Sequence, residues 1–234
     1  CECPGCEALA PAGSGSFSHA TDRNIHLANQ VCRLIRQKYP EKGVITFAYS
    51  FTASPPLLEV PDPNVRIVYC FYNDGFPEKL PWQTRGAEDM LTWARLTNGN
   101  LAIYTYHYLD PSLLMAEPES LTAAFRFFEL RHMRGSIQES APGWSAPDGY
   151  LIYLGAKLSW NPWYDEEALR RDYFSGLYGA GGDAMRRHFE LLVAAMRFRP
   201  GDQTYIGWSF FPKTSDAQLE ELDRLLTEAE LAVK

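Results

Sequence analysis

The chain has 234 residues, enough for one large domain or for a domain with an appendage. Apolar residues make up 46% and charged residues 22%, a balance that supports a buried core and excludes a disordered tail. Lys and Arg number 22 against 29 Asp and Glu, a net charge of −7 without a basic cluster, which argues against a phosphate-backbone binder.

No apolar run approaches the ~18–20 residues that a membrane-spanning helix needs. Aromatics are the unusual entry, with 13 Phe, 13 Tyr and 6 Trp against 5 Cys and 5 Met. The chain opens without an initiator Met or a signal-peptide pattern, inside a cysteine motif. It therefore reads as a piece whose upstream part is missing.

That motif is Cys1-Glu-Cys-Pro-Gly-Cys6. Pro4 and Gly5 make a tight knuckle able to point thiolates at one centre, as a structural zinc requires. Cys1, Cys3 and Cys6 are the candidate ligands, with His19 or His26 nearest in sequence for a fourth. A local disulfide with one spare thiol, or reduced thiols packing a loop, are the alternatives, since the two-pair spacing of common zinc sites is absent. Cys32 and Cys70 sit among apolar neighbours and read as buried thiols.

After a Gly/Ser-rich loop (12–18), Thr21 and Asp22 offer helix N-caps. Ile25, Ala28, Cys32, Ile35 and Tyr39 follow at helical spacing, and Pro40 ends the helix. A buried strand is expected over 43–50, then a Pro-rich crossing (Pro55, Pro56, Pro61, Pro63) and a second strand over 65–72. Ala87, Met90, Leu91 and Ala94 mark a helix before a strand over 101–108. Leu121, Phe125 and Phe128 share one face of a helix over 119–133, and a short strand follows over 135–139. From Gly149 onward only helices are expected, over 150–158, 165–178, 180–197 and 215–233. Gly179 suits a C-cap, and Leu219, Leu222, Leu226 and Ala229 form the stripe of the last helix.

Short apolar strands alternating with helices are the pattern of a parallel sheet covered by helices. Four strands are half the number of a closed (β/α)8 barrel. The expected fold is α/β: the carboxyl-terminal half of such a barrel (strands about 5 to 8, residues 1–148) followed by a helical extension (149–234). A complete four-stranded open sheet is the alternative.

In parallel barrels the working residues lie at the carboxyl ends of strands. Those positions hold Tyr49 and Ser50, Asn73 and Asp74, Tyr106, His107 and Asp110, and Gln138 and Glu139. Trp82, Trp144, Trp160 and Trp163 lie in segments able to fold over the same rim, and Asn161 follows Trp160. Carboxylates, amides, a His and flat aromatic faces suit a sugar, whose hydroxyls take polar partners and whose ring stacks on aromatics. Glu139 weighs most, because a carboxylate at the end of an apolar strand is costly unless partnered or functional. The sequence has no Gly-x-Gly-x-x-Gly, phosphate loop, Gly-x-Ser-x-Gly or His-Glu-x-x-His.

Several stretches in this order carry a resemblance. They are Cys1-Glu-Cys-Pro-Gly-Cys6, the helix with Asn29 and Val31, Ile45 to Tyr49 with Pro55-Pro56, Trp93, Ile103-Tyr-Thr-Tyr106, Gln138-Glu139, Ala156-Lys-Leu-Ser-Trp-Asn-Pro162 with Asp165, and Tyr178-Gly179. Together they resemble the bacterial domain of unknown function 4838 (DUF4838), found in large secreted polysaccharide-utilisation proteins. The family is similar to glycoside hydrolases with (β/α)8 barrels. The resemblance implies a carbohydrate-active domain, extracellular or periplasmic, whose partners are an oligo- or polysaccharide and the upstream half of the same polypeptide, with no nucleic acid, no membrane span and no cofactor beyond a possible structural zinc. Hydrolysis of a glycosidic bond would use two carboxyl groups. Glu139 is the first candidate and Asp74 the second. Tyr49, Asn73, Trp82, Tyr106, His107, Trp160 and Asn161 would shape the sugar subsite. A non-catalytic carbohydrate-binding barrel and a structural module with a zinc knuckle are the competing expectations.

Overall fold

The computed structural model describes residues 3–9, 20–71, 81–107, 118–130, 133–140, 146–196 and 214–234. In chain order the elements are α1 (Pro4–Glu7), α2 (Ala20–Arg36), β1 (Val44–Ala48), β2 (Val65–Phe71), α3 (Pro81–Leu96), β3 (Leu101–His107), α4 (Pro118–Glu129) and β4 (Ser136–Ser140). The helices α5 (Ala146–Trp160), α6 (Glu166–Tyr178), α7 (Gly182–Met196) and α8 (Asp216–Ala232) follow, with 3-10 turns at Ser50–Thr52 and Gly179–Gly181. None of these helices is long and apolar enough to cross a membrane.

The strands form one parallel sheet in sequence order, β1-β2-β3-β4. Val44 pairs with Val65 and Ala48 with Tyr69, while Ile67 pairs with Leu101 and Phe71 with Thr105. Parallel neighbours need a crossover, and α3 and α4 supply two of them. The chain divides into two compact units, one of residues 1–72, 79–105 and 128–137, the other of 73–78, 106–127 and 138–234.

In the first unit the two faces of the sheet differ. Thr46 of β1 is hydrogen-bonded to Asn24 of α2, and Tyr69 of β2 donates its hydroxyl to Gly86 O of α3, so this face carries the helices. Val65, Ile67, Leu101, Ile103 and Thr105 alternate onto it and are buried. Ile25, Ala28 and Cys32 of α2 and Met90 and Trp93 of α3 are buried as well. Ile45, Phe47, Val68, Cys70, Ala102 and Tyr104 occupy the opposite face.

Position 43 admits only Gly. A Cβ there would stand 1.9 Å from the Asn64 carbonyl, which accepts the Val44 amide and starts the β1–β2 pairing. Ser50 adopts φ +52, so the chain leaves β1 through a left-handed residue.

In the second unit α5 to α8 enclose an aromatic core. Tyr150 meets Phe189 edge-on at 5.0 Å and Phe174 at 5.6 Å, and Phe174 stacks on Tyr178 at 6.0 Å. Tyr150, Phe174 and Phe189 are all buried. Much of the aromatic excess is therefore packing. Burial pushes the Tyr173 phenol up to about 12, and burial with the Asp172 carboxylate does the same to Tyr153. Asp165 caps α6 by accepting the Glu167 and Ala168 amides, and Ser215 caps α8 by accepting that of Gln218. Arg170 of α6 lies 2.5 Å from Glu166, 3.3 Å from Glu190 and 3.9 Å from Glu119, which links α4, α6 and α7.

The last helix presents a different stripe from the one expected. Leu222, Leu225 and Ala229 of α8 are buried, whereas Leu219 and Leu226 are 54% and 40% exposed. The cause is a close backbone approach: a Cβ on Gly181 would meet the Ala229 carbonyl at 2.9 Å. That contact turns the side containing Ala229 inward and carries Leu226 out of the core.

Candidate functional site

Glu139 lies in β4, one residue before its end, and is half-buried. Its predecessor Gln138 donates through Nε2 to Gly155 O at 3.1 Å and to Ser159 Oγ at 2.5 Å, both on α5. Successive strand residues point to opposite faces, so Glu139 projects from the face away from α5.

Trp160 is 86% exposed and sits next to Ser159, on the α5 side of β4. The Gln138–Ser159 bond thus puts the last turn of α5, which ends at Trp160, on the face of β4 opposite Glu139. Asn161 accepts the Trp163 amide through Oδ1 at 3.0 Å, and its carbonyl accepts the Tyr164 amide. Its role is to set the turn between α5 and α6. Trp163 is 57% exposed, with the Arg126 guanidinium 5.7 Å above its ring.

Tyr49 follows β1 and is 47% exposed. Its amide donates to Thr52 Oγ1 at 3.1 Å, and Thr52 Oγ1 donates to the Tyr49 and Phe47 carbonyls. Thr52 thereby fixes the turn that carries Tyr49. Tyr106 and His107 are the last two residues of β3, and Trp82 lies in the first turn of α3; their side chains lie outside what is described. Asn73, Asp74, Asp110 and Trp144 lie outside the described residues altogether.

Cys3 and Cys6 are brought together by α1. Both are free thiols, Cys3 exposed and Cys6 half-buried. The Cys6 amide and thiol hold the Cys3 thiol below its ordinary range, while the Cys3 thiol pushes Cys6 up. Cys1 and His19 lie outside the described residues. His26 is engaged elsewhere, 2.7 Å from Glu59 Oε1 through Nδ1 and 2.7 Å from Gln30 through Nε2. No group of three metal-ligating side chains occurs among the described residues.

The most developed polar cluster was not expected from the sequence. Asp22, 1% exposed, accepts the amides of Leu57, Leu58 and Glu59 through its two carboxylate oxygens at 2.7–3.1 Å. Asn29, 4% exposed, donates to Val60 O and Glu59 Oε2 and accepts the Asp62 amide. Asp62 in turn receives Arg36 at 3.0 Å and the Cys32 thiol at 3.7 Å. The Asn64 amide, and then Arg36, hold the Asp62 carboxyl below the usual carboxylate range. These bonds strap the Pro-rich crossing along α2 and fix where the chain re-enters as β2. Asp22 therefore serves the crossing. The available signal was its position on the α2 stripe: Asp22, Ile25, Asn29 and Cys32 share one face, and a polar group on a buried face demands partners.

A family model described as a domain of unknown function (DUF4838) matches residues 1–190. No curated protein and no solved structure gives a match.

Proposed function

The chain belongs to the DUF4838 family, and we propose that it is the carboxyl-terminal half of a glycoside-hydrolase-like (β/α)8 barrel acting on an oligo- or polysaccharide outside the cytoplasm. The placement of Glu139 carries this reading: at the end of β4, on the face opposite the Gln138–Ser159 contact. In the reaction Glu139 supplies one of the two carboxyl groups, as acid, base or nucleophile, and Asp74 or a residue of the upstream half supplies the other.

Two features of the first unit support the half-barrel. Ile45 and Phe47 of β1 are 62% and 46% exposed on the face away from α2, as apolar residues are where a further strand and a closed interior would cover them. Phe47 and Tyr104, on strands separated by β2, meet edge-on at 6.1 Å. Flat neighbouring strands lie ~4.8 Å apart, so alternate ones are ~10 Å apart. Rings that lean together across β2 suit the filled inner face of a barrel. Tyr106 and His107, the last residues of β3, are sugar-contacting residues in this reading.

The test is release of new reducing ends from a panel of polysaccharides by the protein joined to its upstream half. Activity on at least one member is expected. Tight sugar binding without release would favour a binding barrel, and neither outcome on any substrate would overturn the carbohydrate reading.

A further inference from the structure

We infer that Cys3 and Cys6 form an accessible dithiol that closes to a disulfide by exchange with a low-molecular-weight disulfide such as oxidised glutathione. Cys3 is the extended residue preceding α1 and Cys6 lies in its first turn, where the Cys6 amide donates to the Cys3 carbonyl at 2.9 Å. Pro4 opens that turn. Residues three apart on a helical turn have Cβ atoms about 5–6 Å apart, and a disulfide needs about 3.5–4.5 Å, so closing the pair requires this short turn to tighten by roughly 1–2 Å.

Access separates this pair from the other described thiols. Cys3 is exposed and Cys6 half-buried, whereas Cys32 and Cys70 are buried, and Cys32 is turned toward Asp62. The sequence Cys-Pro-Gly-Cys also sets the reacting sulfurs at the spacing of dithiol exchange sites.

The exchange proceeds in two displacements. The Cys3 thiolate attacks one sulfur of the small disulfide, forms a mixed disulfide and releases one thiolate, which takes up a proton. The Cys6 thiolate then attacks the Cys3 sulfur, forms the Cys3–Cys6 bond and releases the second thiol. The protein loses two electrons and two protons, and the small disulfide gains them.

The experiment uses the reduced 234-residue chain with oxidised glutathione, followed by intact-mass measurement. A Cys1→Ser variant removes the neighbouring thiol. Loss of the mass of two hydrogens in that variant, with no glutathione retained, is the expected result. Cys6→Ser in the same background is expected to stop at one retained glutathione, because the resolving thiolate is gone. Glutathione retained on both Cys3 and Cys6, failure of the Cys1→Ser variant to close, or no reaction at either thiol would each overturn the inference.

Discussion

Gln138 and Ser159 are joined by a 2.5 Å hydrogen bond that ties the carboxyl-terminal half of β4 to the last turn of α5. Gln138 also reaches Gly155 O, so its amide nitrogen is engaged twice on the helix. This fixes the pleat of β4 and with it the direction of Glu139. Replacing Gln138 with Leu should cost about 1–2 kcal/mol, the usual range for lost side-chain hydrogen bonds. Urea unfolding measures it, and an unchanged midpoint would mean that the contact does not hold β4 in place.

The Asp22 carboxylate sets the path of the 53–62 crossing. Asp22→Ala would leave three backbone amides without their acceptor at a part-buried contact. Losing hydrogen bonds to a charged group costs about 1.5–3 kcal/mol, and a loss of that order is expected, since water can reach the freed Leu57 and Leu58 amides. Hydrogen exchange at Leu57, Leu58 and Glu59 should rise with it. Protection at those amides that survives the substitution would remove Asp22 from this role.

Asp62 gives the pH dependence a sign. Its carboxyl titrates below its unfolded value because the Asn64 amide and Arg36 favour the charged form. The stabilisation is therefore complete above the ordinary aspartate range near pH ~3.9 and is lost as pH falls toward the depressed folded value. Asp62→Asn should lower stability at neutral pH, and the gap to the parent should narrow as the solution is acidified below that range. A gap that is constant with pH would contradict the assignment.

Gly43 tests the backbone approach at the start of β1. Gly43→Ala would drive a methyl group into the Asn64 carbonyl, 1.9 Å from the ideal Cβ position. Neither partner is a flexible side chain, so the backbone must shift, and a cost of roughly 2 kcal/mol or more is expected. Thermal unfolding of the variant at the parent midpoint would show that the loop yields freely.

The strands and most helices were legible because their apolar residues follow simple periods. The expected strand over 101–108 is β3 at Leu101–His107, and Asp165, Ser215 and Gly179 mark helix ends by their side chains or their backbone freedom. The stripe of α8 was not legible. Leu219, Leu222, Leu225 and Leu226 permit two apolar faces, and the choice depends on Gly181 reaching Ala229, a contact distant in sequence. For the site, the sequence located Glu139 at a strand end but joined Trp160 to it. The Gln138–Ser159 bond shows that the last turn of α5, which ends at Trp160, packs on the other face of β4. Asp22 looked like a helix cap and Asn29 suggested no structural role, because their partners come from a loop about 30 residues further on.

The measurement that bears most directly on the proposed function is the turnover of Glu139→Gln in the protein joined to the proposed upstream half, on whichever polysaccharide of the panel the parent is found to cleave. An amide cannot exchange the proton or act as a nucleophile. A fall of roughly 10²-fold or more is predicted, with sugar affinity and unfolding midpoint close to the parent. Turnover equal to that of the parent would contradict the catalytic assignment of Glu139.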